Sequence, residues 1–172
     1  GSVCSVRSHR LGPCRRLTST STSSGALSLA SEMLALFAQR GDQYMLTNVG
    51  HLLTKRAAIT PHREAFVEWE RNRRFTFSEL NTRSNQIASV LLSQGIKPGD
   101  RVATLLKNGI EFVESYFAIA KIGAVMVPVN WRLVSVEISY ILKDSAASTL
   151  LFDAEFDNTV DELQSGKRGE LP

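Results

Sequence analysis

Residues 101–129 read RVATLLKNGIEFVESYFAIAKIGAVMVPV, and the punctuation of this stretch decides the fold. Arg101 opens an apolar run to Leu106 of the kind that suits a strand covered on both faces. Asn108 and Gly109 turn the chain, and residues 110–121 then carry apolar groups at helical spacing. Gly123 closes that helix, and residues 124–129 form a second short, apolar strand. A strand, a helix and a strand joined by such short connections make a parallel βαβ unit.

The pattern extends in both directions. Downstream, Ser135 is a candidate N-cap for a helix to about Lys143, followed by a strand over residues 149–153 and a polar helix over 155–164. Upstream, Ser78 is a candidate N-cap for a long helix whose stripe includes Leu80, Ile87, Ala88, Leu91 and Leu92. Gly95 stops that helix, and Pro98-Gly99-Asp100 makes a tight turn. Residues 65–70 alternate like a half-buried strand, Arg71-Asn72-Arg73 is a turn, and residues 75–77 pair back as a hairpin. Asn48 caps a first helix to about Ala58, ahead of Pro61. The fold class expected is α/β, with βαβ units forming part of a doubly wound, mainly parallel sheet.

Charge separates a leader from this body. The chain has 172 residues and a net charge of +3. Residues 1–44 carry Arg7, Arg10, Arg15, Arg16 and Arg40 against Glu32 and Asp42, which accounts for that whole excess. The remainder is neutral and gives no electrostatic footprint for nucleic acid. Residues 1–31 hold nine serines and no acid, a composition that cannot offset ordering entropy and is expected to be disordered. It also fits a mitochondrial or chloroplast transit peptide. Translated upstream sequence and a remnant of cloning are the plainer alternatives. The division expected is a leader over residues 1–44, a partial domain over 45–165 and a polar tail over 166–172. The location expected is cytoplasmic, or mitochondrial if residues 1–44 act in transit. No apolar run approaches the ~20 residues of a membrane helix.

Catalytic motifs are sparse. No Gly-x-Gly-x-x-Gly or Walker-type loop follows any expected strand. Residues 19–25 have phosphate-loop residue types but lack a lysine and a preceding strand. Ser165-Gly166-Lys167 is equally unsupported. Cys4 and Cys14, both in the leader, make neither a zinc set nor a disulfide framework. His9, His51 and His62 are scattered, without a second ligand or base at useful spacing. Glu111 and Glu114 lie one helical turn apart, as an acid/base pair could, although a solvated face is the commoner reason for such spacing. Arg71, Arg73 and Arg74 could bind an anion, but a charged hairpin tip explains them as well. From the residues themselves the catalytic, cofactor-binding and metal sets are therefore empty.

Three segments carry a family resemblance. Phe75-Thr76-Phe77-Ser78-Glu79-Leu80 resembles the first core motif of the adenylate-forming superfamily, Leu-Thr/Ser-Tyr-x-Glu-Leu. The run from Ile119 to Asn130, with Gly123 and Pro128, is similar to its second motif. Between them, Gly95-Ile96-Lys97-Pro98-Gly99-Asp100-Arg101-Val102 is similar to its Gly-Val-x-x-Gly-Asp-Arg-Val turn. Asn130-Trp131-Arg132-Leu133 points to the acyl-CoA synthetase branch. The resemblance implies an incomplete N-terminal subdomain of an AMP-forming acyl-CoA synthetase. Such enzymes use ATP, magnesium and CoA and activate a fatty or related carboxylic acid. The Ser/Thr/Gly-rich loop ending in Pro-Lys-Gly, which the family uses for ATP, does not occur in these residues. The resemblance therefore carries no catalytic or cofactor-binding residue onto this chain, and the chain alone is expected to be inactive and to bind none of those cofactors. The alternative is a non-catalytic truncated paralogue. It would pair as a homodimer or dock on a full-length synthetase through exposed groups such as Phe112, Tyr116 and Phe117.

Overall fold

A computed structural model describes residues 48–165 and, as backbone, two short strands of the leader. The leader strands are β1 (Cys4–Ser8) and β2 (Arg15–Arg16). The body runs α1 (Gly50–Ile59), β3 (Glu64–Glu68), β4 (Arg73–Thr76), α2 (Phe77–Ser93), β5 (Arg101–Leu105), α3 (Ile110–Lys121), β6 (Val125–Pro128), α4 (Ser135–Asp144), β7 (Thr149–Asp153) and α5 (Asp157–Ser165). A short 3₁₀ turn, Ala154–Phe156, joins β7 to α5.

The sheet has the order β2-β1-β7-β5-β6. β5 lies parallel to both β6 and β7. β3 and β4 form a separate antiparallel hairpin. The strands of the parallel part alternate between two cores. Val102 of β5 and Leu151 of β7 pack with Ala88 and Leu91 of α2 and Ala118 and Ile119 of α3. Ala103, Leu105, Leu150 and Phe152 point the other way, toward Ile138 of α4 and Val160 of α5. Helices on both faces of a parallel sheet confirm the expected fold class. A third cluster, centred on Leu53, Leu80 and Ile110, fastens α1 and the hairpin beside α2 and α3.

Three helices end in one hydrogen-bond pattern. Gly95 N–H donates to Leu92 C=O and Ile96 N–H to Leu91 C=O after α2. Gly123 and Ala124 repeat this onto Ala120 and Ile119 after α3. These are Schellman turns, which need a left-handed residue one position past the cap. Gly95 and Gly123 supply it with φ of 83° and 73°. α4 ends the same way, with Ala146 N–H donating to Lys143 and Ala147 N–H to Leu142. There the left-handed residue is Ala146, at φ 50°, where a Cβ is costly.

Helix starts differ from the sequence expectation in two places. α2 begins two residues early, because Thr76 rather than Ser78 is its N-cap. Thr76 Oγ1 accepts from Glu79 N–H at 3.3 Å, and Thr76 N–H donates to Glu79 Oε2 at 2.8 Å. This reciprocal capping box satisfies two end groups, where Ser78 would satisfy one. α4 is preceded by Val134, which has no side-chain oxygen, so Glu137 makes only its own half of the box at 3.1 Å. Asn48 does serve the start of α1, accepting from Gly50 N–H at 2.8 Å.

The leader also departs from expectation at two points. A Ser- and Arg-rich composition predicts no regular structure there, yet β1 pairs along all of β7 and β2 pairs with β1. The outer row of β7 backbone groups offers hydrogen bonds that composition does not register. The remaining leader residues, and the tail over 166–172, lie outside the described residues.

Candidate functional site

The carboxyl ends of β5 and β7 are neighbours, but the chain leaves them toward opposite faces. After β5 it enters α3, on the α2 side. After β7 it turns through Phe156 into α5, on the α4 side. Such a divergence opens a crevice at the strand ends, the general ligand position of open α/β sheets. A cleft of about 300 Å³ lies there, roofed by the tip of the β3–β4 hairpin. Its walls include Glu68, Trp69, Lys107, Gly109, Glu111 and Asp153. Trp69 is 84% exposed at the lip.

The hairpin is held over the cleft by paired charges. Arg73 bonds Glu68 through Nε and reaches Glu111 Oε1 with its second guanidinium nitrogen at 3.1 Å. Arg83 of α2 is bidentate to Glu114 of α3. Both guanidinium groups lie over the Phe75 ring, at 5.7 and 5.4 Å from its centre. Two carboxylate–arginine sets thus tie the hairpin and α2 to one face of α3. Burial pushes Glu114 up from the ordinary carboxylate range, although the Arg83 bond pulls it down. Desolvation is the larger effect because the side chain is 4% exposed.

Asp153 closes the floor. Burial, with the nearby charges of Glu111 and Glu155, raises it to about 6, against a hydrogen bond from the Lys107 backbone. Lys107 Nζ pairs with Glu155 at 2.5 Å and lies 5.2 Å from the centre of the Trp131 ring. A Cβ on Gly109 would sit 3.0 Å from both Glu68 Oε1 and Glu111 Oε2, so a larger residue there requires those carboxylates to give by a few tenths of an ångström. The far end of α3 holds a second half-buried charge. Lys121 Nζ donates to Asn81 Oδ1 and Asn85 Oδ1, each at 2.6 Å. Burial still lowers it to about 8, so the two neutral acceptors do not fully replace water.

Several sequence candidates change character here. Glu111 and Glu114 are not a solvated face: both are buried and both bond arginine. Their partners come from 38 and 31 residues earlier in the chain, a distance at which no spacing rule operates. Arg71, Arg73 and Arg74 each face a glutamate, so the hairpin tip is a set of ion pairs. His51 is half-buried on α1 and His62 is exposed in the turn before β3. Tyr116 stays exposed, whereas Phe112 is half-buried and Phe117 packs into the third cluster. His9, Cys14, residues 19–25 and Gly166-Lys167 lie outside the described residues. Asp153 and Lys121 were not legible as special, because burial is the main cause of the Asp153 shift and the cause of the Lys121 shift, and burial is set by distant segments. The Asn81 and Asn85 spacing of one helical turn was the available signal for Lys121. Among the described residues no three His, Cys, Asp or Glu side chains converge as a metal requires.

Comparison with known proteins places this architecture. The family described as AMP-binding enzyme matches residues 53–171. The long-chain-fatty-acid–CoA ligase FadD13 of Mycobacterium tuberculosis is 38% identical over 120 residues, covering 70% of this chain and 24% of that ligase. The crotonobetaine/carnitine–CoA ligase of Salmonella paratyphi A is 43% identical over 99 residues, covering 58% of this chain and 19% of that protein. The inhibitor-bound N-terminal domain of FACL13 from Mycobacterium tuberculosis superposes with a TM-score of 0.67 at 37% identity, over 70% of this chain and 30% of that one. The chain thus spans about a quarter of the length of the curated relatives it matches.

Proposed function

Because this chain belongs to the AMP-binding enzyme family, we propose that it supplies the N-terminal part of a working acyl-CoA synthetase. The observation that carries this is the 120-residue match to a fatty-acid–CoA ligase, together with the likeness to an N-terminal domain of that type. In the reaction that the resemblance implies, a carboxylate oxygen attacks the α-phosphorus of ATP and pyrophosphate leaves. CoA thiolate then attacks the acyl carbonyl and AMP leaves.

The share of this chain in that reaction is structural. The β5–β7 crevice gives one wall on which the rest of the enzyme assembles, and Arg73 and Arg83 fix that wall in place. No step is routed through magnesium. The 172 residues contain no Pro-Lys-Gly loop, so the chain alone forms no acyl-adenylate. The cytoplasmic reading, or mitochondrial entry if residues 1–44 direct it, belongs to the same proposal. Among the described residues no helix is long and apolar enough to cross a membrane.

The test is a graft. Residues 48–165 replace their counterpart in FadD13, and fatty-acid-dependent ATP–pyrophosphate exchange is measured. Exchange within about tenfold of the parent is expected from the graft, and none from the 172-residue chain alone. A soluble, folded graft without exchange would sink the reading.

A further inference from the structure

The end of α3 breaks the pattern of paired charges along that helix. Glu111 and Glu114 meet arginines. Lys121 meets two neutral amides instead, Asn81 and Asn85 of α2, which stand one helical turn apart. Among the described residues no carboxylate pairs with it. Its stem is pinned as well. A Cβ on Gly50 would fall 2.8 Å from Lys121 Cγ and 2.4 Å from Lys121 N, so glycine is what lets α1 come this close. Thr54 of α1 in turn donates to Asn81 Oδ1 at 3.3 Å. Three helices therefore hold one amine in place.

Counting donors separates its two protonation states. An ammonium carries three N–H groups and a neutral amine two. Two acceptors satisfy the neutral form completely, whereas the ammonium keeps a third N–H that no described residue accepts. In the neutral form both N–H groups are engaged and the nitrogen lone pair is not. The side chain is half-buried rather than sealed, so a small electrophile can reach that lone pair.

We propose that Lys121 is an acyl-acceptor site, whose ε-amine takes the acyl group of a thioester and forms a stable amide. The neutral nitrogen adds to the carbonyl carbon, a C–N bond forms, the C–S bond breaks and thiolate leaves. The proton that nitrogen sheds returns to that thiolate. The product amide has one N–H for two asparagine oxygens, so acylation undoes half of the tie between α3 and α2. Burial, with no contribution from a nearby charge, lowers this amine to about 8. Roughly a fifth of it is neutral at pH 7.4, against about 0.1% of an exposed lysine. Lower basicity also weakens each attack, which leaves a net advantage of about tenfold. The site stands without the synthetase reading, since the amine and both asparagines belong to this chain.

The full 172-residue chain is incubated at pH 7.4 with N,S-diacetylcysteamine, a small acetyl thioester without a nucleotide. Mass spectrometry follows acetylation, with the exposed Lys55, Lys97 and Lys143 as references in the same molecule. Lys121 is expected to react about tenfold faster than the references, and the preference is expected to vanish in guanidinium. A Lys121 rate equal to or below theirs, or a preference that survives unfolding, overturns the proposal. Asn85→Asp is nearly isosteric and puts a carboxylate beside the amine, which favours the ammonium. With circular dichroism matching the parent, this variant should lose about tenfold in Lys121 rate and nothing at the references. An unchanged Lys121 rate in that folded variant overturns the asparagine account, and the comparison within the parent chain decides the site whether or not the variant folds.

Discussion

At the scale of single residues, burial sets the charges that matter. Asp153 ionises near 3.8 when exposed and near 6 in the fold. The folded state therefore holds its proton more tightly, and stability falls as pH rises from about 4 to 6. Below that window the group costs nothing, and above it the full penalty persists. Asp153→Asn is expected to raise stability by about 1–2 kcal/mol at pH 7 and by almost nothing at pH 4. Urea titrations at the two pH values measure this, and equal effects at both would exclude the burial account. Lys121 runs in the opposite sense: its lowered value near 8 makes stability rise between about 8 and 10.5. Glu114 shows what one missing partner would cost. Arg83→Met keeps an apolar stem but removes the guanidinium that bonds Glu114 and lies over Phe75, leaving a buried carboxylate unpaired, an expected loss of about 2–3 kcal/mol. Adding Glu114→Met should restore most of it, since a buried ion pair contributes little beyond its own desolvation. A double-mutant cycle in guanidinium measures that recovery.

At the scale of elements, chain punctuation was the legible part. α3 and β7 fall on the residues that the sequence predicts, because Asn108-Gly109 and Gly123 bracket one and apolar composition marks the other. The capping box at Thr76 was legible too, as Thr-x-x-Glu, but Ser78 stands nearer the apolar stripe and drew the assignment. What stayed hidden was which side of α3 faces inward. Spacing places Glu111 and Glu114 on one face without saying whether that face meets water, and only α2 and the hairpin decide it. The crevice was hidden for the same reason, since it forms from segments about 40 to 85 residues apart that no local rule connects. The ends of helices yield a prediction of their own. Ala146 occupies a left-handed position that Gly95 and Gly123 fill elsewhere without a Cβ. Ala146→Gly is expected to stabilise by about 0.5–1 kcal/mol, against the usual direction for glycine. Thermal unfolding checks the sign, and a lower midpoint would mean that the turn relaxes away from φ 50°.

At the scale of the whole molecule, two cores share one sheet. β5 and β7 contribute side chains to both, so neither face can be lost without loosening the other. Ile138→Ala, on the α4 side, is expected to cost about 3 kcal/mol. It should weaken hydrogen-exchange protection in α3, across the sheet, as much as in α4. Loss confined to α4 would show that the faces unfold separately. The strand order has a further consequence during synthesis. β5 is made before either flanking parallel strand, and β7 follows β6 by about two dozen residues, roughly one to five seconds at the ribosome. In that interval the α2–β5–α3–β6 segment can collapse with one side of β5 still unpaired. The nascent chain thus presents an adhesive ribbon to its neighbours until Thr149–Phe152 emerges, and the leader, translated first, is already there to meet β7 on its far side.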